Sequence, residues 1–315
     1  MTFLLYLVLA IIIVLAIGSI WTRALAYTSG RSVPKRGASL SVRGGEMHYV
    51  DKGTPRKGTL VLIHGIAGQL QHFTYAMLDL LKHDYRVIVV DRPGCGYSTV
   101  SHGDGASLAD QARMIDELLG QLGVEKAVLV GHSLGGAVAL RMSLDFSDRV
   151  AGLALLCPLT QPQSEVPNAL KGLQVRASWL RHLLGNTIAI PLGKITANKM
   201  LAEAFAPEHC PEDFMIRAGA VLGLRPRAFV AACSDMMAVH MEMPEQAARY
   251  AGELVVPGGI LYGADDVLLS PTQHGETMGA YNLAMKTLPG RGHMIPLTAP
   301  QECAEFVRLI GDQVL

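Results

Sequence analysis

Surplus charge of either sign is missing from this chain: its 315 residues carry 27 basic and 27 acidic side chains. A nucleic-acid binder usually shows a basic excess, so the balance argues against nucleic acid as a partner. Cysteine is scarce and scattered. Cys95, Cys157, Cys210, Cys233 and Cys303 form no C-x-x-C pair and show no metal-ligand spacing. Such an odd, unclustered set reads as buried free thiols, so neither a disulfide framework nor a zinc site is expected, and no cofactor is called for. Internal repeats and low-complexity tracts are also absent, which excludes a solenoid. What the chain has is apolar residues, 50% of the total. That is the makeup of a globular enzyme with a generous core, not of a disordered chain.

Charge is missing altogether from residues 1–22, and Phe3 to Ile20 is an apolar run interrupted only by Gly18 and Ser19. About 20 helical residues match a hydrocarbon core of roughly 30 Å, and Trp21 and Tyr27 suit the interface. We read residues 1–27 as a transmembrane anchor and the polar segment 28–38 as a linker. The competing reading is a cleaved signal peptide, with Ala24-Leu25-Ala26 as the cleavage box and an exported product. Against cleavage stand the missing basic n-region, the over-long apolar run and Arg23 beside the box. The run has no polar face, which argues against a buried core helix. Arg23, Arg31, Lys35 and Arg36 precede the first acidic residue, Glu46. The positive-inside tendency therefore places the body on the cytoplasmic side.

Beyond residue 38, strand and helix patterns alternate. Ser39–Val42 and Glu46–Val50 read as a hairpin around Gly44-Gly45. Thr59–His64, Arg86–Asp91 and Gly152–Cys157 read as strands buried on both faces. A helix is expected roughly over Phe73–Lys82. Ser107 with Asp110 makes a capping-box-like start to another helix. The alternation resumes with strands 259–263 and 283–288 and a closing helix over 300–310. Together these predict a mostly parallel, doubly wound α/β sheet. Between Pro158 and Gly252 the alternation stops. Short helices, broken at Pro167, Pro191, Pro207, Pro211, Pro226 and Pro244, read as a helical cap inserted into the sheet domain. The core is then 39–157 and 253–315, and the cap is 158–252.

The most informative stretch is Val128 to Leu140, where an apolar strand ends in Gly131-His132-Ser133-Leu134-Gly135-Gly136 and a helix begins at once. Small neighbours let the backbone bend sharply and stand the Ser133 hydroxyl above the sheet. A serine hydroxyl is a weak nucleophile and needs a base within reach, itself oriented by an acid. These should lie at the C-terminal ends of later strands, on the same edge as Ser133. Strand 259–263 is followed by Asp265 and Asp266, either of which could reach across a short loop. Strand 283–288 is followed by a glycine-bracketed loop bearing His293. The order Ser…Asp…His suits a strand-to-helix nucleophile elbow. The developing oxyanion needs N–H donors, and the amide of Leu134, just after the nucleophile, is one candidate.

His64-Gly65-Ile66-Ala67-Gly68, Asp91-Arg92-Pro93-Gly94-Cys95-Gly96-Tyr97-Ser98, Gly131–Gly136, Gly263-Ala264-Asp265-Asp266 and Gly292-His293 occur in order. With these motifs the chain resembles the α/β-hydrolase superfamily, in its lid-bearing esterase, lipase and C–C hydrolase branch. The resemblance covers residues 40–315. It implies Asp266 rather than Asp265 as the acid and the Ile66 amide as second oxyanion donor. It also implies a structural role for the loop carrying Asp91 and Ser98, with Cys95 an inert buried thiol.

The resemblance implies a serine hydrolase acting on an apolar ester. An anchor with a helical cap is similar in organisation to membrane-anchored monoacylglycerol lipases, which suggests a lipid-derived ester as the small-molecule partner. Met236, Met237, Met241 and Met243 could line an adaptable acyl pocket, though methionine at helical spacing is commonly core. A C–C bond hydrolase of ring-cleavage products would use the same triad, with Arg176, Arg181, Arg217, Arg225 or Arg227 holding a second carboxylate. Haloalkane dehalogenases and epoxide hydrolases carry aspartate where this chain has Ser133. A non-catalytic binding protein on this fold would usually have lost a triad residue, and none is lost here.

Overall fold

The computed structural model describes residues 1–101 and 105–315. Helix α1 runs over Thr2–Ser32. It continues into the segment read as linker because the hydroxyls of Thr28, Ser29 and Ser32 bond carbonyls one turn back. Those polar side chains thus need no competing turn. Val33, extended before Pro34, ends the helix. Among the described residues this is the one helix long and apolar enough to cross a membrane.

The strands are β1 (Ala38–Val42), β2 (Gly45–Lys52), β3 (Thr59–Ile63), β4 (Arg86–Val90), β5 (Thr99–Val100), β6 (Ala127–His132), β7 (Val150–Leu156), β8 (Gly258–Gly263) and β9 (Leu283–Leu288). They form one sheet in the order β1-β2-β4-β3-β6-β7-β8-β9, with β5 paired to β2. From β4 through β9 all neighbours are parallel, and only the β1–β2 hairpin and its partners run antiparallel. The four residues Val61, Ile88, Leu129 and Leu153 at the sheet centre are fully buried, as strands covered on both faces require.

The first helices after β3 are α2 (Gln71–Thr74) and α3 (Met77–Leu81), so the single helix expected over 73–82 is two. The break falls at Ala76, whose φ is −150°. The two pieces dock differently: His72 of α2 lies against the Phe214 ring of the cap, whereas α3 packs on the closing helix. Next come α4 (Leu108–Gln121), with Ser107 Oγ accepting the Asp110 N–H, and α5 (Leu134–Asp145). The insertion contributes α6 (Ser178–Gly185), α7 (Ala189–Phe205), α8 (Phe214–Arg217) and α9 (Pro226–Glu253). Short helices α10 (Pro271–His274) and α11 (Ile295–Thr298) precede the closing α12 (Pro300–Val314).

Two of the expected breaks at proline do not occur. Pro191 sits in the first turn of α7, where its missing N–H costs nothing, and α9 continues for 28 residues through Pro244. Packing on both sides of Pro244 holds that helix together. Met243 is buried in the main core, Gln246 Nε2 donates to the Ala137 carbonyl of α5 (2.9 Å), and Arg249 pairs with Asp145 (2.9 Å). The C-terminal half of α9 therefore lies on the sheet-flanking helices, although it belongs to the stretch 158–252 read as cap.

Strand order reverses at β3: the chain passes first to β4 on one side and then to β6 on the other. The loops leaving β3 and β6 thus diverge and open a crevice at the carboxyl ends of the strands. Beneath it, α5 packs so close to β3 that Gly135 leaves no room for a side chain against the carbonyls of Ile63 and His64. Because the obstacle is backbone, Gly135→Ala is expected to cost about 3 kcal/mol, at the top of the overpacking range. A urea unfolding midpoint unchanged from wild type would contradict this close fit.

Candidate active site

Ser133 occupies the junction of β6 and α5 with φ 55° and ψ −122°, a conformation costing a non-glycine residue on the order of 1–3 kcal/mol. The surrounding bonds over-determine it. Its N–H donates to the Leu156 carbonyl (3.1 Å), and its own carbonyl accepts from Gly136 (2.8 Å) and Leu159 (3.0 Å). A methyl on Gly131 would meet the Gly135 oxygen at 2.5 Å, so the turn tolerates only glycine there. The bend presents the Ser133 side chain to a cavity of about 340 Å³.

His293 and Asp266 come together from the loops after β9 and β8. His293 Nδ1 lies 2.7 Å from Asp266 Oδ2, and both side chains are almost wholly buried. The other Asp266 oxygen accepts the backbone N–H groups of Leu268 (2.9 Å) and Leu269 (3.0 Å), which fixes the carboxylate plane. A carboxylate so held suits a proton on His293 Nδ1, and His293 itself lines the cavity. Asp265 is exposed and uses its backbone N–H on the Arg291 carbonyl.

Ile66 and Leu134 line the cavity beside Ser133 and His293. Leu134 is the first residue of α5, so its N–H has no acceptor within the helix, and the helix dipole adds positive potential there. Ile66 sits in a tight turn closed by Gly68 N–H to the Gly65 carbonyl (3.2 Å). Gly65 itself packs on Ser133, which a Cβ would approach to 2.9 Å.

Around this group lies a ring of residues that sequence reasoning left without a role. His132 Nε2 is 3.0 Å from the His293 carbonyl, and the two rings are 4.9 Å apart. Burial, then the nearby His293, pushes the His132 imidazole well below its ordinary range, so it stays neutral. His64 is likewise driven far down by burial and then by Arg92, and burial takes His72 to about 4. Cys157 stands directly behind the pair, within 4.8 Å of both Asp266 and His293. Among the described residues these three are the one cluster of potential metal donors. Burial, then the Asp266 charge, raises the Cys157 thiol well above its usual value, which keeps it protonated and unreactive.

Arg92 is the largest fully buried side chain. It donates to the carbonyls of His64 and Gly65 (2.9 Å each) and forms a two-pronged ion pair with Asp235 of α9 (3.0 and 2.8 Å). Gln111 bridges the same two groups. Asp91, next in the chain, bonds the N–H groups of Leu70 and Tyr97 and the ring of His48, so this loop holds the site from beneath. None of the arginines considered for a second carboxylate lines the cavity among the described residues. Arg181 bonds the Val175 and Arg176 carbonyls and Ser234, Arg217 the Tyr75 carbonyl, and Arg225 with Arg227 the Gly96 carbonyl. Of the four methionines considered for the pocket, Met236 lines the cavity, Met237 is half-buried outside its lining, Met243 is core and Met241 faces solvent.

A family model described as "alpha/beta hydrolase fold" matches residues 58–300. The chain belongs to the alpha/beta hydrolase fold family. Over 292 residues it is 25% identical to the sn-1-specific diacylglycerol lipase ABHD11 of Mus musculus, covering 90% of each chain. It is 35% identical over 133 residues to a 2-hydroxy-6-oxononadienedioate/2-hydroxy-6-oxononatrienedioate hydrolase of Paraburkholderia phymatum, covering 41% of this chain and 46% of that protein. Several curated relatives are matched over no more than half of their length. A thermophilic esterase from Thermogutta terrifontis has the same fold, with a TM-score of 0.67 at 23% identity over 88% of this chain and 99% of that one. In this alpha/beta hydrolase the buried Arg92–Asp235 pair ties the insertion to the Gly65 turn. Asp235→Ala would strand the Arg92 charge and is expected to cost about 3–5 kcal/mol, read as a lowered urea midpoint.

Proposed function

We propose that the chain is a membrane-anchored serine hydrolase that cleaves an apolar, lipid-derived carboxylic ester through an acyl-enzyme. Ser133 Oγ attacks the ester carbonyl while His293 Nε2 takes its proton. Asp266 orients the imidazole and stabilises its cation. The amides of Ile66 and Leu134 receive the oxyanion. His293 then protonates the departing alcohol, and water, activated by the same imidazole, releases the acid. The observation that carries this reading is the Asp266–His293 pair at 2.7 Å in the wall of a cavity that also exposes Ser133. Residues 39–157 and 253–315 form the catalytic core in this reading and 158–252 the cap, with α1 as the membrane tether and the body on the cytoplasmic side.

The cavity favours an acyl chain over a dicarboxylate. Its polar side chains among the described residues are His72, His132, Ser133, Gln163 and His293, and the rest of the lining is apolar, with Ile190, Leu201, Phe205 and Phe214 from the cap. A charged second carboxylate would lie there without a cation, at a cost of several kcal/mol. C–C cleavage of a dicarboxylate ring-fission product is therefore the weaker reading. A non-catalytic receptor would have no need of the strained Ser133 turn.

A fluorophosphonate probe is expected to label Ser133 in the native protein and to leave Ser133→Ala unlabelled. Label on another residue, or none, would overturn the assignment. Across p-nitrophenyl esters of increasing acyl length, kcat/KM is expected to rise from acetate toward medium chains. It should exceed that for a vinylogous diketone carrying a second carboxylate by at least about tenfold, the worth of roughly 1.4 kcal/mol. Asp266→Asn is expected to lower kcat by roughly 10³–10⁴ with the label on Ser133 still detectable.

A further inference from the structure

The apolar end of α1 is fastened to the cap. Thr22 Oγ1 donates to the Thr187 carbonyl (2.8 Å), and Gly18 packs so closely that a Cβ there would meet the Thr187 oxygen at 2.8 Å and the Ile188 side chain at 3.4 Å. Helix α1 also packs against α7 and the turn Ala220–Leu224. The first charged residue of α1 is Arg23, so the boundary of the apolar segment falls at Trp21–Arg23. Ile188 stands level with Gly18, five residues to the apolar side of Arg23. At 1.5 Å per residue that is about 7.5 Å inside the boundary.

The cap surface beside this contact is apolar and uncovered. Trp179 is 69% exposed, Leu192 57% and Ile195 67%, with Leu183 and Ile188 also exposed. Trp179 and Leu183 are one turn apart on α6, whose opposite side, at Gly185, meets Phe229 and Val230 of α9. Leu192 and Ile195 share one side of α7, the exposed Lys199 follows one turn further along that side, and the exposed Lys194 lies to its flank. A helix pair with an apolar outer face and cations beside it has the makeup of an element lying in the plane of a membrane interface, buried about 5–10 Å. The depth obtained from Gly18 falls in that range.

We propose that the outer faces of α6 and α7 form a second membrane-contact surface, seated in the interfacial layer of the bilayer that α1 crosses. The inference rests on the reading of α1 as a membrane span and deepens it. The inner side of α7 supplies Ile190, Ala197 and Leu201 to the cavity, and Met200 is both exposed and part of the cavity wall. One helix, about 10 Å across, then separates the acyl layer from the cavity. An ester with an apolar chain could pass along α7 without its chain crossing water.

The chain has two tryptophans, Trp21 and Trp179, one in each proposed contact. Full-length Trp21→Phe, with Trp179 as sole reporter, is reconstituted in phosphatidylcholine vesicles with or without bromines on the acyl chains. The expected result is a blue-shifted emission quenched at least twofold by the brominated lipid. Full-length Trp179→Phe reports on α1 in the same vesicles. Quenching of Trp21 with water-like, unquenched Trp179 emission would overturn the cap-face proposal and leave the anchor standing. Absence of quenching in both would overturn both.

Discussion

The turn at Ser133 exists because three backbones approach one another where no side chain can intervene. Gly131 faces Gly135, Gly135 faces the end of β3, and Gly136 faces Pro158 at the end of β7. Strands β3, β6 and β7 are neighbours, so α5 starts from the centre of the sheet and is wedged against both flanking strands. The positive φ of Ser133 lets the chain leave β6 and enter α5 within one residue. Everything proposed for the site inherits its position from that bend: the hydroxyl at the crevice, the Leu134 amide at the helix start and the Gly65 turn resting on the Ser133 side chain.

Around that bend the protein buries charge in a way that links layers. Arg92 is wholly enclosed, and its partner Asp235 belongs to α9, whose other end packs on α5 through Gln246. An enclosed guanidinium needs its donors satisfied, and here they are shared among the His64 and Gly65 carbonyls, Gln111 and Asp235. The Gly65 turn that carries Ile66 is therefore held by the same residue that clamps the insertion. The cap is joined to the floor of the cavity by a charge pair as well as by apolar contact, and movement of the first half of α9 would disturb the Ile66 amide.

Local signals carried the elements whose cause is local. The Ser107–Asp110 cap, the alternation of β3, β4, β6 and β8 with helices, and strand β9 over 283–288 all follow from side-chain period and turn chemistry. The positions of Ser133, Asp266 and His293 at three strand ends on one edge follow from the same alternation. What a single sequence does not disclose is contact at long range. Pro244 looks like a break until Met243, Gln246 and Arg249 are seen holding α9 on both sides of it. Residues 28–32 look like linker because Thr and Ser usually favour turns, yet their hydroxyls bond within the helix. The Arg92–Asp235 pair joins residues 143 apart, and nothing near either one announces the other. His132 stood inside the serine motif, and only the fold shows that its ring backs His293.

The two sides of α7 bring these threads together. A helix whose one side lines an apolar cavity and whose other side is apolar and uncovered has no polar face to give to water. Its polar residues, Lys194, Thr196, Asn198, Lys199 and Glu203, are spread around the helix instead of forming one face, and Lys199 lies on the same side as Leu192 and Ile195. In a soluble protein such a helix would be exposed at a steady cost, because each uncovered large apolar side chain forgoes on the order of 1.5–3 kcal/mol of burial. Beside the end of an apolar span the same composition is favourable in the proposed arrangement, where an acyl layer would cover one side and a substrate chain the other. Thr187, held by Thr22 just before this helix, would set the level of α7 along α1 in that arrangement.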